Sequence, residues 1–317
     1  MLKNKHLAII VAVVVVVGAA AGMTLWRANN PAGKPANISQ TGQDLHKKNG
    51  YASVNGVNMY YETYGEKNDK PPLLLLHGSH MNIQLSFAEL IPELTKSRQV
   101  IGVEIQGHGH TADVEGRPLT YQQVADDIAD FLRQQNITQA DVFGWSMGGT
   151  LATEIAIRHP ELVRKVAVIG ANYRGFDELL DPAAYQQFIA ALDSGFAPKQ
   201  LTGPYEKVSP NPEKWDELVI KLRDMDKRNV WPTDEQIKNI NTPFLVMHGD
   251  RDATPVSHAV KWYGLLPQGR LDILPNADHF APILQPQLVS ASLLAFLDGP
   301  ETMPSETANT IEALDRR

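Results

Sequence analysis

The sequence predicts an α/β fold: a mainly parallel sheet covered by helices on both faces and interrupted by an inserted helical cap. Three observations carry this. Short apolar runs recur along the chain, "PLLLLHG", "VIGVEI", "ADVFGW", "VRKVAVIG", "PFLVMHG" and "RLDILP", and runs without polar alternation suit strands covered on both faces. Amphipathic stretches with three- and four-residue spacing separate them, and strands alternating with helices build parallel sheets. Between Asn172 and about Ile240 the strand pattern stops and helical stretches follow one another, which is the mark of an insertion. Two independent domains would explain this less well, because a strand pattern resumes at Pro243.

Taken in order, the chain opens differently from its body. Lys3 and Lys5 precede an uncharged run from Leu7 to Trp26, long enough to cross a bilayer at ~1.5 Å rise per residue. A basic start, an apolar centre and the small residues Ala19 to Ala21 equally describe a cleavable signal. Residues 1–27 are therefore expected to be a signal anchor or a signal peptide. A buried globular helix fits poorly, since the valine-rich run has no polar face. Lys3 and Lys5 favour a cytoplasmic start although Arg27 and Lys34 flank the other side. The expected product is exported: held at the inner membrane with its body outside the cytoplasm, or soluble in the periplasm or medium after cleavage. Residues 28–49, rich in Asn, Pro, Gly, Lys and Gln, read as a flexible tether. Residues 50–298 form the body, with the cap at about 172–240, and residues 299–317 read as a polar tail.

The body begins at "YASVNGVNMYYETYG", where Asn55-Gly56 supplies the dipeptide that most readily makes a two-residue hairpin turn. Thr120 to Asn136 places Val124, Ile128, Phe131 and Leu132 on one helical face. Ser146 to His159 reads as a helix that starts at a glycine turn and stops before Pro160. In the cap, "PAAYQQFIAAL", "PEKWDELVIKLRDMDK" and "TDEQIKNI" read as helices punctuated by Pro204, Pro210, Pro212 and Pro232. No internal repeat is present, which excludes solenoids and propellers.

Composition narrows the chemistry. The 317 residues carry a net charge of -7 with both signs mixed along the chain, so no basic stripe exists for nucleic acid. There is no cysteine, which removes disulfides, thiolate nucleophiles and cysteine-ligated zinc. No H-E-x-x-H or carboxylate-histidine spacing points to a metal, and no cofactor is implied. Nothing in the sequence sets an oligomeric state.

In parallel sheets, ligands gather beyond the carboxyl ends of the strands. His77-Gly78-Ser79, Gly107-His108-Gly109, Ser146, Gly249-Asp250-Arg251-Asp252 and His279 all stand where such ends are expected. Ser146 lies in "FGWSMGG", a G-x-S-x-G turn after an apolar run. Serine is a weak nucleophile without a base, and the base needs an orienting acid. His279 and Asp252 can take those parts, in the chain order serine, acid, histidine.

With these motifs in place, the body from Tyr51 to Leu297 resembles the α/β-hydrolase superfamily. "LLLLHGS" resembles its oxyanion-loop strand, "GHGHT" its glycine-histidine turn, "GWSMGG" its nucleophile elbow, "VMHGDRDATPV" its acid turn and "LPNADHF" its histidine loop. The resemblance implies a twisted eight-stranded sheet with a cap, Ser146 as nucleophile, Asp252 as acid and His279 as base. It further implies an oxyanion hole from the backbone N–H groups of Ser79 and Met147. The superfamily pattern places the acid three residues after the glycine that ends its strand, which selects Asp252 and leaves Asp250 to cap the turn.

The expected function is a serine hydrolase that cleaves a small or medium carboxylic ester through an acyl-enzyme. Lactonase, amidase, carbon-carbon hydrolase and perhydrolase chemistry use the same triad, and hydrolase-like folds also serve as non-catalytic binders. The expected partner is a small ester-like molecule, with the membrane as a second if the leader is retained. Of the other histidines, His80 and His110 are candidates for lining the pocket; the rest read as turn, surface or packing residues. Trp215, Trp231 and Tyr205 in the cap either meet substrate or pack the cap onto the body.

Overall fold

The computed structural model describes residues 48–193, 199–228 and 230–299. The expected leader and nearly all of the tether and polar tail lie outside them. Among the described residues no helix is long and apolar enough to cross a membrane.

Eight strands form one sheet: β1 (Lys48–Val54), β2 (Val57–Tyr64), β3 (Leu73–Leu76), β4 (Val100–Glu104), β5 (Ala140–Trp145), β6 (Val163–Ile169), β7 (Phe244–Gly249) and β8 (Gly269–Leu274). Their order is β1-β2-β4-β3-β5-β6-β7-β8. The pair β1 and β2 is antiparallel, as is β2 with β4, and every later pairing is parallel. The hairpin closes with Asn55 at φ 45° and Gly56 at φ 85°, the two positive dihedrals that Asn-Gly tolerates.

Strands β3, β4, β5 and β7 are buried at every position, as continuous apolar runs require when helices cover both faces. The run "RLDILP" behaves differently. Strand β8 is only half-buried over Gly269 to Ile273, because it is the edge of the sheet and has one neighbour.

The longer covering helices are α1 (Tyr121–Gln134), α2 (Met147–Arg158), α7 (Val256–Leu265) and α8 (Pro286–Asp298), and between β6 and β7 lie the cap helices α3 (Pro182–Asp193), α4 (Lys199–Val208), α5 (Trp215–Arg228) and α6 (Asp234–Lys238). Helix α1 starts where the Thr120 hydroxyl accepts from Gln123 N, and it buries Val124, Ile128, Phe131 and Leu132. Pro204 does not punctuate the cap as expected: it sits inside α4. A proline there removes one intrahelical donor, but Leu201 and Tyr205 on the same helix are buried in the common core, and this packing outweighs the local preference. The cap core also takes in Trp215, Leu218, Val219, Leu222 and Met225 of α5.

A buried polar knot ties the end of α8 to the sheet. Arg98 and Asp141 form an ion pair at 2.6 Å with neither side chain exposed, and Arg164 reaches the same carboxylate oxygen at 2.6 Å. Lys165 donates to the Phe296 and Leu297 carbonyls, both at 3.0 Å. Removing one partner of such a set leaves a charge stranded in low dielectric, which costs about 3–5 kcal/mol.

Candidate active site

The glycine turn at Ser146 is forced by close packing. A Cβ on Gly144 would lie 2.1 Å from the Gly148 carbonyl oxygen, and one on Gly148 would lie 2.0 Å from the Leu76 carbonyl oxygen. Only glycine lets α2 start this close to β3 and β5. Ser146 itself takes φ 56° and ψ -122°, a left-handed conformation costing of order 1–3 kcal/mol in a non-glycine residue. The turn is held by Ser146 N donating to the Ile169 carbonyl at 2.9 Å and Gly149 N to the Ser146 carbonyl at 2.8 Å. The hydroxyl is thereby presented at the end of β5, off the strand and ahead of the helix.

His279 meets that hydroxyl. Its Nε2 lies 3.1 Å from Ser146 Oγ, and its Nδ1 lies 3.2 Å from both carboxylate oxygens of Asp252. Partners 133 and 27 residues away from the histidine in sequence are thus brought into one hydrogen-bonded series by β5, β7 and the loop after β8. Burial by itself would lower the His279 pKa, but the adjacent Asp252 carboxylate outweighs it and holds the imidazole above its ordinary value. Burial would raise Asp252, and the imidazole instead keeps it below the usual carboxylate range. Asp252 also accepts from Thr254 N at 3.3 Å.

The two neighbouring aspartates separate cleanly. Asp250 is exposed and its Oδ1 accepts from Ala277 N at 3.2 Å, which ties the acid turn to the histidine loop. No hydrogen bond joins it to His279. Two supports of the histidine have no signal in local sequence. Trp145 Nε1 donates to the His279 carbonyl at 2.8 Å. Gly170, at φ 58°, lies so close beneath the pair that an added Cβ would be 3.0 Å from Asp252 Oδ2 and 3.1 Å from His279 Nδ1.

Ser79 and Met147 line the same cavity as Ser146 and His279. Met147 is the first residue of α2, so its N–H has no intrahelical acceptor and sits at the positive end of the helix dipole. The loop after β3 reaches the nucleophile, with the position of a Cβ on Gly78 3.8 Å from Ser146 Cβ. His80 also lines the cavity. Burial pushes its pKa down to about 4, so it is a neutral wall at pH 7, and its ring packs 5.6 Å from that of Trp215.

His110 does not line the cavity. Its Nδ1 lies 2.9 Å from Glu104 Oε2 and its ring lies 4.3 Å from that of Tyr60. The cap aromatics divide as well. Trp231 lines the cavity beside Tyr121, with ring centroids 5.7 Å apart. Trp215 is 9 % exposed and packs against Tyr205 and His80. The remaining wall comes from Thr150, Asn172, Phe176, Phe188, Val219, Leu222, Arg223, Met225, Asp226 and Thr254, of which the sequence singles out none.

A family model described as "Alpha/beta hydrolase family" matches residues 73–292. Among curated proteins, the chain is 25% identical over 264 residues to an uncharacterized hydrolase, YugF, of Bacillus subtilis, covering 77% of this chain and 96% of the relative. It is 26% identical to a pimeloyl-[acyl-carrier protein] methyl ester esterase of Photobacterium profundum, covering 75% of this chain and 97% of that one. Among solved structures, the enol-lactonase from Burkholderia xenovorans superposes with a TM-score of 0.65 at 20% identity, over 78% of this chain and 100% of its own.

Proposed function

The chain belongs to the alpha/beta hydrolase family, and from that premise we propose that it is a serine hydrolase cleaving a small or medium carboxylic ester through an acyl-enzyme. The observation that carries the reading is the hydrogen-bonded series Ser146–His279–Asp252 at 3.1 and 3.2 Å. In this reading Ser146 Oγ attacks the ester carbonyl carbon while His279 Nε2 takes its proton. Asp252 holds the Nδ1–H tautomer and stabilises the imidazolium that forms. The N–H groups of Met147 and Ser79 receive the developing oxyanion, and His279 then returns the proton to the departing alkoxide. Water, deprotonated by the same imidazole, releases the acid and regenerates the serine.

Ester rather than amide or carbon-carbon cleavage is supported by the relative named as a methyl ester esterase. A purely binding role is opposed by the raised histidine and lowered aspartate pKa values, which suit a base and its orienting acid. The leader, with its apolar run from Leu7 to Trp26, supports an exported enzyme working outside the cytoplasm.

The test is a panel of chromogenic esters of graded acyl length, with lactones and anilides alongside, against the purified wild type and Ser146→Ala. The expected result is ester turnover with a burst of released alcohol, abolished in a folded Ser146→Ala protein. Equal turnover by that variant overturns the serine mechanism, and preferential lactone or anilide turnover overturns the ester assignment.

A further inference from the structure

The cavity holds an acidic group that ester cleavage does not use. Asp226, near the end of α5, lines it and accepts one hydrogen bond, from Tyr121 Oη at 3.0 Å. Among the described side chains no Lys, Arg or His pairs with it. Arg223, one turn earlier on α5, lines the same cavity but pairs with Asp224 at 2.9 Å, and Lys227 pairs with Asp193 at 2.8 Å. Burial without a counter-ion pushes the Asp226 pKa up to about 6, so the group is mainly ionised at pH 7.

The surroundings are aromatic. Phe176, Phe188 and Trp231 share a wall with Asp226; the two phenylalanine rings lie 4.5 Å apart, and the Trp231 ring faces Tyr121. Asn172, 8 % exposed, adds a second buried acceptor to the cavity, since its Oδ1 has no hydrogen-bond partner. An ionised carboxylate without a counter-ion is costly inside a protein. Set among aromatic faces, it has the composition that receives an organic cation, by charge and by ring quadrupoles together.

Resting on the ester-hydrolase reading, we propose that Asp226 and the aromatic wall form a subsite for an ammonium group carried by the substrate. The position suits one small molecule. Thr150, on the cavity wall, is one turn of α2 beyond Ser146, a rise of ~6 Å at ~1.5 Å per residue, and the same cavity runs on to Tyr121 and Asp226. The competing role is a latch, in which Tyr121 on α1 and Asp226 on α5 hold the cap to the body. A latch stabilises the fold without discriminating charge.

The experiment compares kcat/KM for pairs of esters of one shape, a trimethylammonium end against a tert-butyl end, with the group placed on the alcohol side in one pair and on the acyl side in the other. In one pair the wild type prefers the charged ester by about 10- to 30-fold, the range of a desolvated cation–π contact. Asp226→Asn collapses that ratio towards one, chiefly through KM, whereas Tyr121→Phe, which keeps the carboxylate, retains it. Tetramethylammonium chloride raises the wild-type melting temperature above that in sodium chloride of equal ionic strength, and Asp226→Asn loses the difference. That last readout needs no turnover, so a shift without ester cleavage would sink the hydrolase reading and leave the subsite standing. No charge preference in either pair with no ammonium-specific shift, or a ratio unchanged in Asp226→Asn, overturns the subsite.

Discussion

Replacing Asp252 by asparagine keeps the shape of the acid and removes its charge. In the wild type the carboxylate oxygens lie 3.2 Å from His279 Nδ1, which sets the charge centres ~4–5 Å apart once delocalisation over both groups is allowed for. At an effective dielectric of about 20, that separation is worth about 3–4 kcal/mol to the imidazolium formed during attack, or ~10²–10³ in rate. A second loss adds to it. With the introduced amide oxygen accepting from Thr254 N as the carboxylate does, the amide NH₂ group would face Nδ1 and select the tautomer protonated on Nε2, which cannot take the Ser146 proton. The combined expectation for Asp252→Asn is a fall in kcat approaching ~10⁴, as tautomer reversal produces in the chymotrypsin-type triad.

The pH profile supplies a separate sign. His279 acts as a base only when neutral, so activity is lost as pH falls through its pKa, which Asp252 holds above the ordinary histidine value. Without the carboxylate, burial prevails and lowers that pKa. The acid limb of kcat/KM in Asp252→Asn therefore moves to lower pH while its plateau drops. Steady-state kinetics on one chromogenic ester between about pH 5 and 9 reads both effects. A loss in kcat below tenfold, or an acid limb that stays in place, refutes the assignment of Asp252.

Asp250→Ala, which removes the acceptor of the bond from Ala277 N, should change kcat by less than about threefold and lower the melting temperature, since that bond is worth about 0.5–1.5 kcal/mol; a large catalytic loss would transfer the acid role to Asp250. Trp231→Ala should redistribute rates among ester lengths, whereas the packed Trp215→Ala should cost about 3–5 kcal/mol of stability with little change in selectivity. Identical selectivity profiles for the two variants in denaturation-matched assays would erase that distinction. Gly148→Ala, which sets a methyl 2.0 Å from the Leu76 carbonyl oxygen, should destabilise by about 3 kcal/mol or more by overpacking against backbone; a wild-type urea midpoint would contradict the elbow geometry. Residues 1–49 fused to a reporter active only outside the cytoplasm should confer activity, and carbonate extraction of membranes then separates a retained span from a cleaved signal.

Sequence by itself determined the features whose causes are local or periodic. The elbow is legible because Gly144, Gly148 and Gly149 bracket Ser146 within six residues and close packing there admits no side chain. The order of strands and helices is legible because burial on two faces or one stripe imposes a period on the chain. The choice between Asp250 and Asp252 rested on the resemblance, whose pattern sets the acid three residues after Gly249; in the fold one carboxylate meets Ala277 N and the other His279.

Only the tertiary structure decided matters set by contacts between distant segments. Trp215 and Trp231 look alike in sequence, yet α5 turns the first into the core and the cavity takes the second. Pro204 signals a break locally, and burial of Leu201 and Tyr205 keeps α4 through it. Asp226 reads as one more acid in "LRDMDK" until folding sets it against Tyr121, 105 residues away, in a cavity whose one lining arginine, Arg223, is paired with Asp224 instead. Charge in a charged helix carries no signal of its own; its meaning comes from the dielectric and the partners that folding places around it.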